Sequence, residues 1–401
     1  MAQGTPSVPR QSNKVAKSAL KFVVLVGVVS LFADMTYEGA RSATGPFLSV
    51  LGASATVVGI AAGFGELLGY ALRFLTGYLA DKTRRYWAIT ILGYCINLLA
   101  VPLLALAGNW QVAVALMMAE RIGKAVRTPA RDAMLSYATR QVGHGWGFGL
   151  HEALDQIGAV TGPLIVAAAV YLGEGYRTGF AFLLIPALLA LATLAAARLI
   201  YPRPSDFDPA TPSLEGKGLP RAFWLYLGAI ALVAAAYADF PLIAFHFKKA
   251  AIVSDSMIPL FFSVAMGVDA LAALLFGRLF DRRGFPVLMF AVAASALFAP
   301  LVFWGGAGLA LLGTVLWGVG MGAQESIMRA AVAQMVPAQK RASAYGVFNA
   351  GFGVAWFAGS AVMGVLYDLW LPGLVAFSVG LQLLCILTLL LVRQKAPSIA
   401  Q

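Results

Sequence analysis

Charged residues are scarce in this sequence. Asp, Glu, Lys and Arg make up 12% of its 401 residues, whereas hydrophobic residues make up 60%. Soluble domains carry about 25% charged residues. So little charge cannot cover a water-soluble particle of this size. The scarcity excludes a soluble enzyme and predicts that lipid surrounds most of the protein surface.

Histidine and cysteine are equally rare. The three histidines and two cysteines show no spacing typical of a zinc or iron site, and two distant cysteines do not make a disulfide framework. The sequence also lacks a Gly-Lys-Ser/Thr phosphate loop and a serine nucleophile motif. It therefore predicts no metal, no cofactor, no direct use of ATP and no enzymatic activity.

Long apolar runs fill most of the chain, and short polar breaks separate them. Runs of about 20 residues are long enough to cross a bilayer as helices. The sequence predicts an all-α polytopic membrane protein with twelve transmembrane helices, at residues 19–41, 56–80, 86–107, 111–130, 145–172, 178–200, 222–247, 257–280, 286–304, 308–334, 342–367 and 373–393.

Basic residues, which give the chain its net charge of +11, collect in alternate breaks. Lys82, Arg84 and Arg85 follow the second helix, and Arg282 and Arg283 follow the eighth, whereas the first and third breaks contain none. This bias is typical of cytoplasmic loops. It predicts an inner (plasma) membrane protein with both termini in the cytoplasm, and it explains the positive charge without a nucleic-acid partner.

Sequence features recur on either side of a proline-rich segment. The segment from Gly77 to Lys82 (GYLADK) matches that from Gly277 to Arg282 (GRLFDR), at an offset close to 200 residues. Three further matches pair Ala33-Asp34 with Ala238-Asp239, Arg131 with Arg329, and Gly149 and Gly162 with Gly346 and Gly359. The repeat indicates a duplicated six-helix unit around a central cavity.

The repeat also sets the expected domain boundaries. They are a cytoplasmic tail at 1–18, an N-terminal six-helix bundle at 19–200, a cytoplasmic linker at 201–220, a C-terminal bundle at 221–393 and a second tail at 394–401. We expect the protein to be a monomer whose partners are a small-molecule substrate, protons and the lipid bilayer.

Three motifs resemble those of the major facilitator superfamily. The Gly-x-Leu-Ala-Asp-Lys segment at 77–82 is similar to the family's loop signature, and Arg121, Gly123 and Pro129 resemble its fourth-helix motif. Gly158-x-x-x-Gly162-Pro163 resembles its antiporter motif, although Val166 and Ala167 replace the trailing glycines. The resemblance implies alternating access between two pseudo-symmetric halves.

The loop signature also implies a gate. By this resemblance the loop holds one conformation of the transport cycle, and the gating set comprises Gly77, Asp81, Arg84, Arg85, Arg131, Gly277, Asp281, Arg282 and Arg329. The family usually has a glycine after the second basic position. Here Thr83 is followed directly by Arg84, so we expect the first loop to be one residue tight.

Acidic residues inside the predicted membrane helices are the main functional signal. A charge at the bilayer centre costs at least about 2.5 kcal/mol, so each one needs a partner or a task. Asp34 and Glu38 lie four residues apart on the first helix, and Glu152 and Asp155 lie on the fifth. Four carboxylates in a low dielectric cannot all be ionised cheaply, so we expect this group to bind the coupling proton.

The predicted substrate-binding set mixes basic, acidic and aromatic residues. It comprises Arg41, Arg121, Lys124, Arg127, His151, Asp239, Asn349, Phe352 and Trp356. The basic stripe on the fourth helix has two interpretations, anion binding or structural pairing with nearby acids. Glu66, Arg73 and Asp269 are expected to form structural pairs.

The sequence therefore predicts a secondary transporter that moves a small molecule, with proton-coupled export by antiport as the first hypothesis. Proton-coupled import of a small organic anion is the second, and a non-transporting membrane receptor or lipid flippase is the third. An acid-rich cavity favours neutral or cationic cargo, whereas an open arginine stripe favours an anion.

Overall fold

The computed structural model describes residues 10–142, 144–203, 219–336 and 341–395. Its described residues form fifteen α-helices, one short 3₁₀ helix (Leu104–Leu106) and no strand. The helices are α1 Arg10–Val50, α2 Ala55–Thr83, α3 Tyr86–Leu103, α4 Trp110–Val142, α5 His144–Tyr171, α6 Gly175–Phe182, α7 Leu184–Ile200, α8 Arg221–Ala236, α9 Phe240–Lys249, α10 Met257–Arg283, α11 Phe285–Ser295, α12 Phe298–Trp304, α13 Ala307–Met335, α14 Arg341–Leu369 and α15 Leu371–Lys395.

These helices make twelve crossings of the bundle, as the sequence predicts. Three crossings consist of two helices each, namely α6 with α7, α8 with α9, and α11 with α12. Eleven described stretches are apolar and long enough to span a membrane. The twelfth crossing is α4, whose central turns carry Glu120, Arg121, Lys124 and Arg127 and are therefore too polar for that criterion.

Two helices continue beyond their predicted ends. Helix α1 reaches Val50 instead of residue 41, and α4 reaches Val142 instead of residue 130. The predicted end of the fourth helix at Arg131 is therefore wrong. Hydropathy marks where the apolar run stops, but a polar sequence such as that after Pro129 continues as a helix when its side chains find partners.

The predicted seventh helix is broken in the middle. Tyr237 and Asp239 have extended backbones, and Pro241 stands in the first turn of α9, where its missing N–H costs no helical hydrogen bond. A break inside a membrane needs partners for its carbonyl groups. Trp317 Nε1 donates to the Ala238 carbonyl at 2.9 Å, and Ser378 Oγ donates to the Ala236 carbonyl at 2.7 Å.

Glycine contacts confirm the repeat of the two halves. A Cβ on Gly162 of α5 would lie 2.2 Å from the Met35 carbonyl oxygen of α1, and one on Gly359 of α14 would lie 2.0 Å from the Ala235 carbonyl oxygen of α8. Both positions therefore need glycine for close helix packing. Met35 and Ala235 are 200 residues apart, so the predicted match of Asp34 with Asp239, 205 residues apart, is out of register and wrong.

The two ends of the bundle differ in how the halves meet. We call the end that contains the start of α1 and the end of α15 the terminal end, and the opposite end the distal end. Contacts between α2 and α14 run from Thr56 and Asp368 at the distal end to the Tyr70 and Phe352 rings, whose centroids are 5.7 Å apart, near the middle. Nearer the terminal end, Phe74 of α2 is 74% exposed. The halves are thus closed against each other at the distal end.

The α2–α3 turn corrects another expectation. Arg84 has a φ of 55°, and its N–H donates to the Ala80 carbonyl at 2.8 Å. In the second half Gly284 has a φ of 62° and donates to the Phe280 carbonyl at 2.7 Å. Arg84 therefore takes the place of the glycine, at a helix end where both residues have a positive φ and cap the helix through their N–H. The first turn is not one residue tight, because the missing glycine is replaced and not deleted.

Candidate functional site

Arg41 lies at the centre of an ionic network between the two halves. Its Nη2 is 3.1 Å from Asp239 Oδ1 and 3.8 Å from Glu66 Oε1, and its Nη1 is 3.7 Å from Glu38 Oε2. Three carboxylates from α1, α2 and the start of α9 thus surround one guanidinium group. This central network places Arg41, Glu38 and Asp239 together, all three from the predicted proton and substrate sets.

Asp239 connects this network to the C-terminal half. The break between α8 and α9 places it before the first turn of α9, where 2% of the residue is exposed. Its Oδ2 accepts hydrogen bonds from Trp356 Nε1 at 2.7 Å and from Ser360 Oγ at 3.3 Å, both on α14. The Arg41–Asp239 pair is therefore a direct ionic contact between residues of opposite halves.

The basic residues of α4 are engaged by acids and aromatic rings. Arg121 Nη1 is 3.1 Å from Glu66 Oε1, and its Nε is 3.3 Å from Glu120 Oε2. Lys124 Nζ lies 3.9 Å from Glu38 Oε1 and 3.8 Å from the centre of the Tyr37 ring. Of the two interpretations of this stripe, the geometry of these two residues agrees with structural pairing.

Arg127 is the most deeply buried of the basic residues on α4. It is 1% exposed, and its guanidinium carbon lies 4.3 Å from the centre of the Tyr94 ring and 5.6 Å from that of Tyr37. Its Nε and Nη1 have no hydrogen-bond partner among the described residues. The aromatic faces attract the cation, but burial keeps it away from the central opening.

A second polar chain joins α1, α4 and α5. Ser30 Oγ is 2.9 Å from His151 Nε2, and Arg131 Nη1 donates to the same Oγ at 3.2 Å. His151 Nδ1 lies 3.4 Å from Asp155 Oδ2, while Arg131 Nη2 lies 2.8 Å from Asp132 Oδ1. This Ser30 chain brings Arg131, which the resemblance assigned to the gate, beside two residues of the predicted proton and substrate sets.

The four predicted proton-binding acids are close enough to interact electrostatically, Asp34 with Glu38 and Asp155, and Asp155 with Glu152, but the direct contacts of each one differ. Glu38 belongs to the central network, Asp155 belongs to the Ser30 chain, and Glu152 is exposed. Asp34 accepts a hydrogen bond from the Tyr37 hydroxyl and packs beside Gly158 of α5.

The C-terminal half contributes an aromatic wall. The Phe352 ring is 5.4 Å from that of Trp356 and 6.1 Å from that of Phe348, and the Phe240 and Phe262 rings are 4.4 Å apart. Asn349 is half-buried on the same helix as Phe352. Asp269 is 2% exposed and forms a side-chain hydrogen bond with Gln156 of α5, although its Oδ1 has no hydrogen-bond partner among the described residues.

The remaining gating residues lie at the two equivalent turns. Gly77 faces Pro129 of α4, and Gly277 faces Ser326 of α13, each within its own half. Asp81 accepts a hydrogen bond from the Tyr86 hydroxyl at 3.1 Å. Arg84, Arg85, Asp281 and Arg282 are exposed, and the side chain of Arg329 is outside the described part of the chain.

Several residues of the site have no counterpart in the sequence predictions. Tyr37 lies three residues after Asp34 on the same face of α1, and this spacing could have revealed its hydrogen bond. Ser30 and Ser360 are common small residues in apolar runs, and Tyr94 is an isolated aromatic residue there. Nothing in their sequence context indicates contact with a charged group.

The opening beside the central network is small. A cavity of about 30 Å³ is lined by Tyr37, Arg41, Glu120, Arg121 and Pro241, among others. A volume near 30 Å³ corresponds to about one water molecule in the liquid. This cavity is therefore of a size suited to bound water.

Comparisons with known proteins agree with this architecture. The family model described as Major Facilitator Superfamily matches residues 26–324 and 222–401. An uncharacterized protein of Mycobacterium tuberculosis is 41% identical over 396 residues, which cover 96% of this chain and 97% of the relative. An uncharacterized MFS-type transporter of Methanocaldococcus jannaschii is 29% identical over 220 residues, 54% of each chain.

Solved transporters share the fold at low sequence identity. A D323A mutant of the nucleoside transporter NupG has a TM-score of 0.72 at 13% identity, covering 95% of this chain and 100% of its own. A peptide transporter POT in complex with sulfate has a TM-score of 0.73 at 13% identity, covering 97% and 98%. Identities this low concern the fold alone. Together with the matched family model, they show that the chain belongs to the major facilitator superfamily of transporters.

Proposed function

We propose that this transporter exports a small neutral or cationic molecule in exchange for protons, and that Glu38 binds the coupling proton. The proposal rests on which of the charged groups around Arg41 have partners and which do not. The Glu38 Oε2 atom is buried and has no hydrogen-bond partner among the described residues, whereas Arg121 and Lys124 of α4 are engaged by carboxylates. The arginine stripe required for anion binding is therefore not open.

Glu38 is suited to a competition between proton and cargo. Its carboxylate touches Arg41 at 3.7 Å and Lys124 at 3.9 Å, distances at which the ionic contacts are long and open to displacement. A proton on Glu38 removes the negative charge that a cationic or hydrogen-bond-donating cargo would use. Mutually exclusive occupancy of one carboxylate is the simplest physical basis of antiport.

The central network also offers a link between occupancy and conformation. Arg41 and Asp239 belong to opposite halves and are 3.1 Å apart in the distal-closed conformation. When the two halves rock, this pair must lengthen or change partners. A change of charge at Glu38 alters how strongly Arg41 is held, and so biases that equilibrium.

The proposal places the terminal end of the bundle in the cytoplasm. The exposed Lys82, Arg84 and Arg85 lie at this end, as do Arg282 and Arg283. The distal end has Arg177, Lys248 and Lys249 among the described residues. The positive-inside rule then favours an inner-membrane protein that is open toward the cytoplasm in this conformation. We propose that it acts as a monomer.

The test is transport by the full chain in proteoliposomes, with pH gradients of either sign and a panel of organic cations, neutral molecules and organic anions. We expect cargo to move against the direction of proton flow. Glu38→Gln should abolish gradient-driven transport while exchange of labelled for unlabelled cargo continues. Glu174→Gln, at an exposed acid before α6, is the matched control and should behave as the unsubstituted protein.

Other outcomes would replace the proposal. Accumulation of an organic anion together with inward protons would identify a symporter, and Arg127, with its two N–H groups lacking described partners, would become the leading substrate residue. Gradient-driven transport that survives Glu38→Gln would contradict the role of Glu38. Transport insensitive to the pH gradient would contradict proton coupling altogether.

A further inference from the structure

A cavity lined by arginines lies at the terminal end of the N-terminal half. It has a volume of about 500 Å³ between the α2–α3 turn and the end of α7, and Arg84, Arg85, Arg198 and Arg203 line it. No described Asp or Glu lines it. None of the four guanidinium groups forms an ion pair with a carboxylate of the described residues, although each is exposed. Four arginines that have no ion-pair partner among the described residues, gathered around one opening, favour an anion there.

Local backbone structure fixes the shape of this arginine cavity. Arg84 adopts a left-handed conformation that ends α2, and Arg85 precedes α3 without a side-chain cap on its first turn. The uncapped N–H groups at the start of α3 add a partial positive charge. Trp87 Nε1 donates to the Tyr201 carbonyl at 3.0 Å and so ties the start of α3 to the end of α7.

The surroundings of the arginine cavity are apolar on one side. Leu199 is 82% exposed and Ile200 is 61% exposed at the end of α7, next to Arg198 and Arg203. Both α3 and α7 are membrane spans that end here, so the cavity lies at the level of the lipid headgroups. Trp87 at this level is also typical of a membrane interface.

We propose that the arginine cavity binds the phosphate of an anionic membrane lipid, with the acyl chains along the exposed face of α7. Arginine guanidinium groups bind phosphate with paired, charge-assisted hydrogen bonds. The adjoining Leu199 and Ile200 surface favours a lipid over a soluble phosphate, because only a lipid would cover it. Basic pockets beside membrane helices are suited to such headgroups.

The test measures lipid binding and not transport. The full chain in detergent is titrated with phosphatidylglycerol or phosphatidylcholine, and native mass spectrometry gives the dissociation constant of the first bound lipid. Each arginine near a membrane surface strengthens binding to anionic lipid about fivefold, so Arg198→Gln with Arg203→Gln should weaken phosphatidylglycerol binding about 25-fold. Phosphatidylcholine binding should change little.

A matched variant distinguishes binding in the arginine cavity from a general effect of the protein's positive charge. Arg282→Gln with Arg283→Gln removes two arginines from the equivalent turn of the second half and should leave phosphatidylglycerol binding within about twofold, because neither arginine lines the cavity. Arg203→Gln alone, at an exposed residue outside any helix, should weaken binding about fivefold if the double variant does not fold. Replacement of both Arg198 and Arg203 by lysine keeps the charge but not the paired hydrogen bonds, and should weaken binding less than replacement by glutamine.

Three results would overturn the assignment. Unchanged phosphatidylglycerol binding in the cavity variants would place the lipid elsewhere. Equal weakening of phosphatidylglycerol binding by Arg282→Gln with Arg283→Gln would show that net charge, and not the arginine cavity, sets the affinity. Displacement of the bound lipid by millimolar inorganic phosphate would identify an ion site instead of a lipid site.

Discussion

Asp368 joins the two halves at the distal end, and its replacement by alanine should open that end. The carboxylate, near the end of α14, accepts hydrogen bonds from Ala55 N at 3.2 Å, Thr56 N at 2.8 Å and Thr56 Oγ1 at 2.7 Å. It therefore caps the first turn of α2 from the opposite half. Lys249 Nζ lies 3.8 Å from the same carboxylate.

The expected magnitude follows from these contacts. A carboxylate that caps a helix contributes about 1–2 kcal/mol, and the Thr56 hydroxyl adds a hydrogen bond to a charged group worth about 1.5 kcal/mol before solvent screening. The Lys249 side chain is 52% exposed, so its ion pair adds little. Helix α2 keeps its own cap, Ser54 Oγ, which accepts from Val57 N at 3.2 Å. We expect a net loss of about 2 kcal/mol, or a shift of about thirtyfold in the ratio of distal-closed to distal-open molecules.

Pulsed electron paramagnetic resonance can measure this shift. One spin label is placed in the α1–α2 loop and the other in the α14–α15 loop, after replacement of Cys95 and Cys385, the two native thiols. Asp368→Ala should add a population with a longer distance between the labels. Glu174→Ala, at an exposed acid of the same end, is the matched control.

The reasoning is refuted if Asp368→Ala leaves the distance distribution unchanged while the labelled protein stays folded. It is also refuted if Glu174→Ala lengthens the distance to the same extent. In that case general loosening of the distal loops, and not the loss of a contact between the halves, would explain the result.

Three further predictions concern packing, the central network and coupling. Gly359→Ala places a Cβ 2.0 Å from a backbone oxygen of α8 and should lower the free energy of unfolding in detergent by about 1–3 kcal/mol. Gly346→Ala is the control, because a Cβ there would have no atom within 4 Å, and it should change the free energy little. Equal effects of the two substitutions would contradict the packing argument. Asp239→Ala should lower the free energy of unfolding by about 3 kcal/mol, because it removes the carboxylate nearest to Arg41. The double variant Asp239→Ala with Arg41→Ala should lose less stability than the two single variants lose together. Additive losses would show that the two residues are not coupled. Asp155→Asn should change the dependence of gradient-driven transport on external pH, measured in proteoliposomes, and an unchanged profile would remove this acid from proton coupling.

The order and number of membrane crossings follow from the sequence, because apolar runs of sufficient length have only one stable structure in lipid. The exact ends of the helices do not follow from it. Helix α4 continues for twelve residues beyond the predicted end at residue 130, to Val142, because Arg131 finds Asp132 and Ser30. The break before α9 was visible only as Pro241, since the apolar run itself is continuous.

The sequence predicts which residues belong to the site, but not which of them contact each other. Arg41, Glu38 and Asp239 are all among the predicted residues, because intramembrane charges are costly wherever they occur. Their partners depend on the rotation of each helix and on contacts between residues far apart in the chain. Arg41 and Asp239 are 198 residues apart, and no local pattern connects them.

The register of the repeat explains why the acid that joins the halves has no acidic counterpart in the first half. Since Met35 and Ala235 are equivalent, the counterpart of Asp239 in the first half is Gly39, within the unbroken helix α1. A Cβ on Gly39 would lie 3.0 Å from the Gly162 carbonyl oxygen of the same half, so no side chain fits there. In the second half the helix break frees the equivalent position from such packing and presents a carboxylate to Arg41. The two halves are therefore symmetric in helix packing but asymmetric in charge, and the acid that joins them comes from the second half alone.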